Sequence, residues 1–181
     1  MRIIAGRWRG VRLAALGKGD AGAHLRPTPD RVRESLFSML THRDVIEGAR
    51  VLDLFSGTGA LAFEALSRGA AEAVLVEKGR VGQRLISENI AKLGADTATM
   101  IRGDATRPGP CPGALFDLVF LDPPYGQGLG ERALEATKDW IVPGGVIVWE
   151  EAQFMAPPAG FAPLDQRRFG GVFVTLLERL G

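Results

Sequence analysis

From residue 50 onward the chain alternates between two apolar rhythms. Compact apolar runs at 51–54, 73–76, 97–101, 115–121 and 146–149 read as buried strands. Between them, apolar positions recur at helical spacing. One helix covers 60–68 and is ended by Gly69. Another carries Val81, Leu85, Ile86, Ile90 and Leu93 and is stopped by Gly94, and a further helix lies near 131–140. Repeated strand and helix units predict a parallel sheet covered on both faces. Two last strand-like stretches, 161–168 and 172–178, are joined by Gly170 and Gly171 and predict a hairpin that adds an antiparallel edge.

The first 43 residues follow a different pattern. Residues 2–5 and 11–13 read as two extended arms, with Trp8 in the turn at 6–10. The stretch 17–22 (Gly, Lys, Gly, Asp, Ala, Gly) reads as a linker. Thr28 can cap a helix and Pro29 can occupy its first turn. Val32, Leu36, Met39 and Leu40 then form one apolar face down to about His42, while Arg31 and Arg33 fall off that face, toward solvent or ligand. The whole, 1–181, is predicted to be a single domain, with 1–25 as a basic hairpin extension and flexible linker.

Composition narrows the class. With 46% hydrophobic and 24% charged residues, 181 residues suffice for one sizeable core. The N-terminal segment meets Arg7 and Arg9 too early for the apolar core of a signal peptide, and no run approaches a membrane span, which predicts a cytoplasmic protein. The single Cys111 cannot close an intramolecular disulfide. Two histidines and one cysteine make no zinc spacing, so no metal is expected. A net charge of +1 conceals a division along the chain. Residues 1–43 hold nine Lys/Arg against three acids, a local +6, which leaves −5 for the remainder. A basic arm on a mildly acidic body is the footprint of a polyanion-binding surface, and a solvated charged hairpin is the plainer alternative.

Candidate chemistry gathers at the predicted strand ends. Asp53 to Gly59 (Asp, Leu, Phe, Ser, Gly, Thr, Gly) follows the first parallel strand, where Gly57 and Gly59 allow a tight turn and a close approach to a ligand. Gly57, Gly59 and Ala62 also fit the dinucleotide pattern G-x-G-x-x-A, a weak signal that leaves a nucleotide-binding oxidoreductase open. Asp53 weighs against a pyrophosphate there and suits a ligand with an ammonium or sulfonium group, or else it ties down the glycine loop. Glu77 ends the second strand, where a carboxylate can accept from both hydroxyls of a ribose. Asp104 ends the third, where its carboxylate can take an adenine amine while the Ala105 N–H donates to the ring. Asp122, Pro123, Pro124 and Tyr125 close the fourth strand. Two prolines donate no backbone hydrogen bond, which leaves carbonyls and the Asp122 carboxylate as acceptors beside an aromatic ring, a setting for a planar base with an NH2 group. Glu150 and Glu151 end a fifth strand and could line the mouth of the pocket, although a structural or solvated role is the plainer reading. Trp140 and Phe169 read as packing residues, and Cys111 as a loop thiol.

These motifs carry a resemblance. The chain resembles class I S-adenosylmethionine methyltransferases, with Asp53 to Gly59 as the cofactor loop and Asp122 to Tyr125 as the signature of exocyclic amine methylation. Arg2 to Gly10 with Trp8 and Arg9, and then Arg26, Pro27, Thr28, Asp30, Arg31, Val32, Arg33, Glu34, Leu36 and Phe37, narrow it further. With them it is similar to the bacterial 16S ribosomal RNA guanine-N2 methyltransferase family along its whole length. The resemblance implies a Rossmann-like α/β fold with a seven-stranded, mostly parallel sheet in the order 3-2-1-4-5-7-6, helices on both faces, and an N-terminal β-hairpin and helix. It implies S-adenosyl-L-methionine as cofactor, with S-adenosyl-L-homocysteine as product and no metal, bound by Arg26, Thr28, Asp53, Phe55, Gly57, Gly59, Glu77, Lys78, Asp104, Ala105 and Asp122. Asp122, Pro123, Pro124 and Tyr125 become the catalytic set. Arg2, Arg7, Arg9, Arg12, Arg31 and Arg33 become RNA contacts, and the partner becomes 16S rRNA or the small ribosomal subunit, with a monomeric enzyme and neither DNA nor membrane involved. Adenine N6 or a glutamine side-chain amide are alternative acceptors for the same chemistry.

Overall fold

The computed structural model describes residues 1–17, Asp20, Leu25 and 28–181. Most of the 17–22 linker, and Arg26, lie outside the described residues. The elements run α1 (Asp30–His42), β1 (Arg50–Leu54), α2 (Ala60–Ser67), β2 (Glu72–Glu77), α3 (Arg80–Leu93), β3 (Ala98–Arg102), β4 (Phe116–Leu121), α4 (Leu129–Thr137), β5 (Ile141–Glu151), β6 (Phe161–Phe169) and β7 (Val172–Arg179), with one 3-10 turn at Lys138–Trp140. A seven-stranded sheet has the order β3-β2-β1-β4-β5-β7-β6. The first five strands are parallel; β7 runs antiparallel to both β5 and β6.

Strand alternation sorts the core into two layers. Val51, Leu75, Leu118, Phe120 and Val148 face α1, α2 and α3, whereas Leu52, Leu54, Val76, Val119, Ile147 and Trp149 face α4 and Trp140. β5 begins at Ile141, five residues before the apolar run at 146–149. Pro143, Gly144 and Gly145 look like a turn in sequence, but the strand runs through them with a register shift opposite Phe116 and Leu118. Gly145 permits this, since a Cβ there would lie 2.6 Å from Ile141 Cγ2.

The hairpin is locked to the body. Ile3 N–H donates to Val11 O and Gly10 N–H to Ile3 O, and a single bridge joins Arg2 and Arg12. Glu64 of α2 is fully buried and accepts the backbone N–H groups of Ile4 (2.8 Å) and Ala5 (3.1 Å). The Ser67 hydroxyl accepts from Trp8 N–H and donates to Ala5 O. Gly6 sits against this helix end so closely that a Cβ would meet Ser67 O at 1.8 Å, and its φ of +81° also suits glycine. Behind it, Asn89 of α3 accepts the Ala14 N–H (2.6 Å) and donates to Thr58 O in the glycine loop (3.1 Å).

Two sequence readings of α1 are corrected. Thr28 does not cap the helix: Pro29 occupies the N-cap position, no side chain caps it, and the Thr28 hydroxyl instead donates to Glu150 at 3.4 Å. Arg33 does not face solvent. It is fully buried, donating to Asp30 (2.6 Å) and Arg2 O (2.7 Å) and pairing with Glu64 at 3.7 Å. The buried stripe is Arg33, Leu36, Phe37 and Leu40, spaced i, i+3, i+4, i+7, and the guanidinium holds a core position because an acid and a carbonyl meet it there.

Candidate active site

Parallel strands bring their carboxyl ends to one edge of the sheet, and the order reverses between β1 and β4, the place where such sheets open a crevice. Asp53 and Phe120 are register partners, so Asp122 falls two residues beyond that pair, next to the β1 loop. Phe120 in turn pairs with Val148, two residues before Glu150. Asp53 and Glu150 therefore project from the same face of the sheet, and Asp122 stands directly beyond the end of the strand between them.

The β1–α2 loop is built for a tight reversal. Phe55, Gly57 and Gly59 all have positive φ, and Gly59 N–H closes on Ser56 O at 2.7 Å. A Cβ on Gly59 would lie 2.5 Å from the Phe63 ring, so that glycine is needed for packing as well as for its φ. On Gly57 a Cβ would meet only Leu25, at 3.6 Å, which leaves this side of the loop open.

Glu77 clamps the loop from β2, accepting Gly57 N–H at 2.7 Å and Gly79 N–H at 2.6 Å, one on each oxygen. Each oxygen keeps a second lone pair for a hydroxyl donor. Burial raises its pKa, against the opposing pull of these N–H groups. Asp53 is buried and accepts the Ala62 N–H at 3.3 Å, so it does anchor the start of α2. Burial pushes its pKa up to about 8, and the nearby Glu77 and Glu150 carboxylates add to the rise. Asp104 differs. Lys78 reaches it at 2.9 Å, Thr106 donates to its other oxygen through N–H and hydroxyl, and Lys78 first among these holds its carboxyl well below the usual range. Ala105 beside it is buried.

After β4, Pro123 is buried, Asp122 and Tyr125 are half-buried, and Pro124 is exposed. Gly126 follows with a φ of +71°, and its N–H donates to Glu151 Oε1 at 3.1 Å. Glu151 thus ties the Asp122–Tyr125 loop to the end of β5.

Both terminal acids of β5 are buried, not solvated. Glu150 has one oxygen 3.4 Å from the Thr28 hydroxyl and the other without a partner, and burial pushes its pKa up to about 7. The signal was in the sequence: these acids end an apolar run just as Glu77 does. The structure thus brings Asp53, Glu77, Asp122 and Thr28 to one sheet edge, with Phe55, Gly57, Gly59, Lys78, Asp104 and Ala105 on the adjoining loops. Arg2, Arg7, Arg9 and Arg12 lie apart on the hairpin and Arg31 on α1, all exposed. Two clefts of about 220 and 470 Å³ open beside the hairpin, lined by Arg2, Arg9, Arg12, Asp30 and Glu34 among others. No strand end reaches them, and the convergent acids lie at the sheet edge instead. Among the described residues no group of three or more His, Cys, Asp or Glu could hold a metal ion, and no helix is long and apolar enough to cross a membrane.

A sheet of this order, with a glycine loop after β1 and Asp-Pro-Pro-Tyr after β4, defines a Rossmann-like methyltransferase. Residues 1–178 match the model of the family described as conserved hypothetical protein 95, and the chain belongs to that family. It is 36% identical to Ribosomal RNA small subunit methyltransferase D of Escherichia coli K12, over 99% of this chain and 90% of that protein. It is also 36% identical to the protein of the same name from Haemophilus influenzae, over 98% and 93% of the two chains. The solved structure of the putative methyltransferase yhhF from Escherichia coli superposes with a TM-score of 0.85 at 37% identity, covering 100% of this chain and 98% of that one. Membership of this family sets aside the oxidoreductase alternative.

Proposed function

We propose that the chain, acting as one methyltransferase domain with a docked basic hairpin, methylates the exocyclic N2 of a guanine in 16S rRNA using S-adenosyl-L-methionine. The observation that carries this reading is the placement of Asp122–Tyr125 beside the Asp53–Gly59 loop at the point where the strand order reverses. The names of the similar E. coli and H. influenzae proteins support the RNA substrate.

The residues fit the cofactor by chemistry. Glu77 has lone pairs for two ribose hydroxyls, and Asp104 retains a site on the oxygen that Lys78 approaches. Asp53 and Glu150 form an under-neutralised pair, and the unpartnered Glu150 oxygen is the kind of group a bound cation satisfies. Arg26 and Thr28 are assigned to the carboxylate end of the ligand, and the Ala105 N–H and Phe55 to its adenine. When bound, this cofactor supplies a methyl group on a positively charged sulfur, open to in-line displacement by an amine.

The protein's own task is to make the amine reactive. The lone pair of an aromatic NH2 is delocalised into the ring. The Asp122 carboxylate and the Pro123 carbonyl accept its two hydrogens and draw the nitrogen toward tetrahedral geometry, while Tyr125 stacks on the base. The loop must be rigid for this, and the Glu151–Gly126 bond supplies that rigidity. Exposed Arg2, Arg7, Arg9, Arg12 and Arg31 give phosphate contacts that hold the RNA without reading its bases. Arg33 takes no part, because it is buried.

The test uses labelled cofactor with 16S rRNA and small subunits from cells lacking this enzyme. Label on guanine N2 is the expected result. Label on adenine, cytosine or protein, with none on guanine, overturns the reading.

A further inference from the structure

Glu151 and Phe173 are register partners across β5 and β7, and Phe173 is in turn the partner of Arg168 on β6. All three project from one face of the sheet. That face also holds Gly126, whose N–H meets the Glu151 carboxylate. A continuous path therefore runs from the Asp122–Tyr125 loop across two strands, spaced about 4.8 Å apart, to Phe173 and Arg168. At its far end Phe154 packs edge-on against Phe173, with ring centroids 5.0 Å apart and an interplanar angle of 85°. The Arg168 guanidinium lies 5.1 Å from the centre of the Phe173 ring and is pinned by a 3.0 Å bond from its Nε to Gly170 O.

Three features separate this cluster from ordinary packing. Four large hydrophobic side chains are exposed among the described residues, and Phe154 is the one aromatic among them, at 40% exposure. Arg167 is matched by Asp165 at 3.0 Å, whereas among the described residues Arg168 forms no ion pair, so its charge faces solvent. The cluster also lies at the carboxyl end of β5, on the face opposite that of Asp53 and Glu150, and joins the pocket through the Asp122–Tyr125 loop.

We propose that Phe154, Phe173 and Arg168 form a platform for the single-stranded RNA flanking the target guanine. A base stacks on the exposed Phe154 ring, and Arg168 meets the neighbouring phosphate. Stacking on an aromatic suits any base, and a cation beside it follows the backbone, a combination that grips single strands without choosing sequence. The inference rests on the RNA-substrate reading above. It adds a second grip, on the side of the pocket formed by β5, β6 and β7, independent of the N-terminal arginines.

The experiment compares full-length wild type with Phe154→Ala, Phe154→Trp and Arg168→Ala. Three quantities are measured: affinity for fluorescein-labelled decauridylate, kcat/KM on naked 16S rRNA and on small subunits, and affinity for S-adenosylhomocysteine. Phe154→Ala is expected to weaken decauridylate binding and kcat/KM about 5- to 150-fold, the range that loss of one stacked base gives. Phe154→Trp should restore both, and cofactor affinity should stay unchanged. Arg168→Ala should make the fall of log affinity with log salt shallower by about 0.7, one phosphate contact on a single strand. If Phe154→Ala stays within twofold of wild type on RNA, the platform is refuted. It is also refuted if the loss appears in turnover of assembled subunits while decauridylate binding stays at the wild-type level, since the surface would then be meeting a ribosomal protein. Wild type that binds decauridylate through Phe154 yet methylates no guanine would sink the substrate assignment and leave the platform standing.

Discussion

Two buried charge clusters are built on opposite terms. Beneath the hairpin, Glu64 takes two backbone N–H groups and meets Arg33 and Arg68, and Arg33 also reaches Asp30 and the Arg2 carbonyl. At the sheet edge, Asp53 receives one backbone N–H at 3.3 Å, and Glu150 keeps one oxygen without a partner. The first cluster sets its acids against local cations, even though Nε and Nη1 of Arg33 have no hydrogen-bond partner. The second leaves the cost of burying charge standing in the free protein, and a cationic ligand can relieve it. Where a fold buries acids without matching them, the missing partner is a guide to the ligand.

The widest separation between the two clusters should come from Glu64→Ala. Removing the acid leaves the buried Arg33 with only Asp30 and the Arg2 carbonyl and frees two hairpin N–H groups, at a cost of about 3–5 kcal/mol of stability, which denaturant unfolding reads directly. An effect below about 1 kcal/mol would erase the contrast drawn here. At the sheet edge the loss should fall on rate instead. Asp122→Ala should lower kcat by about 10²–10³ while S-adenosylhomocysteine affinity, measured by calorimetry, stays near wild type. Near-normal turnover would remove Asp122 from its role.

Glu151→Ala is expected to be milder, with kcat down about tenfold at little cost in KM, because the loop loses one anchor and no reacting group. Glu151→Gln keeps the acceptor for Gly126 N–H and should recover most of the rate. A Gln variant as poor as Ala would show that charge, and not the tether, matters. The smallest effect should be Glu150→Gln. The folded-state pKa of Glu150 is raised from 4.5 to about 7, so its contribution to stability is full below the unfolded value and is lost as pH climbs through 7. The Gln variant should be more stable than wild type at pH 8, with the advantage vanishing near pH 4. A variant less stable at pH 8 would mean that Glu150 is satisfied in the free protein after all.

Much of this was legible before any coordinates. Strands such as Val51–Leu54 and helices such as Ala60–Ser67 announce themselves because local periodicity and burial agree there. The acids at 53, 77, 104 and 122 were legible by position, since a carboxylate within or shortly after the end of an apolar run stands at a strand end. What was lost depended on partners far away in sequence. Arg33 reads as a surface arginine until Glu64, on another helix, explains its burial. Thr28 reads as a cap until the end of β5 supplies Glu150 as its partner. Glu151 reads as a solvated acid because its meaning lies in the Gly126 amide, 25 residues earlier. Periodicity reports which face is apolar, and it is silent on which polar groups will be met there.

The Ala14–Asn89 bond, 75 residues apart in sequence, also sets a schedule for the newborn chain. The basic hairpin leaves the ribosome before its seats on Glu64, Ser67 and Asn89 are made. At about 5–20 residues per second, roughly 4–15 s pass before the last of them is synthesised. During that interval the arginine-rich arm is a loose polycation beside a large excess of RNA. Completion of α3 gives it a fixed orientation, while the pocket still waits for the Asp122–Tyr125 loop and Glu150, which are synthesised later.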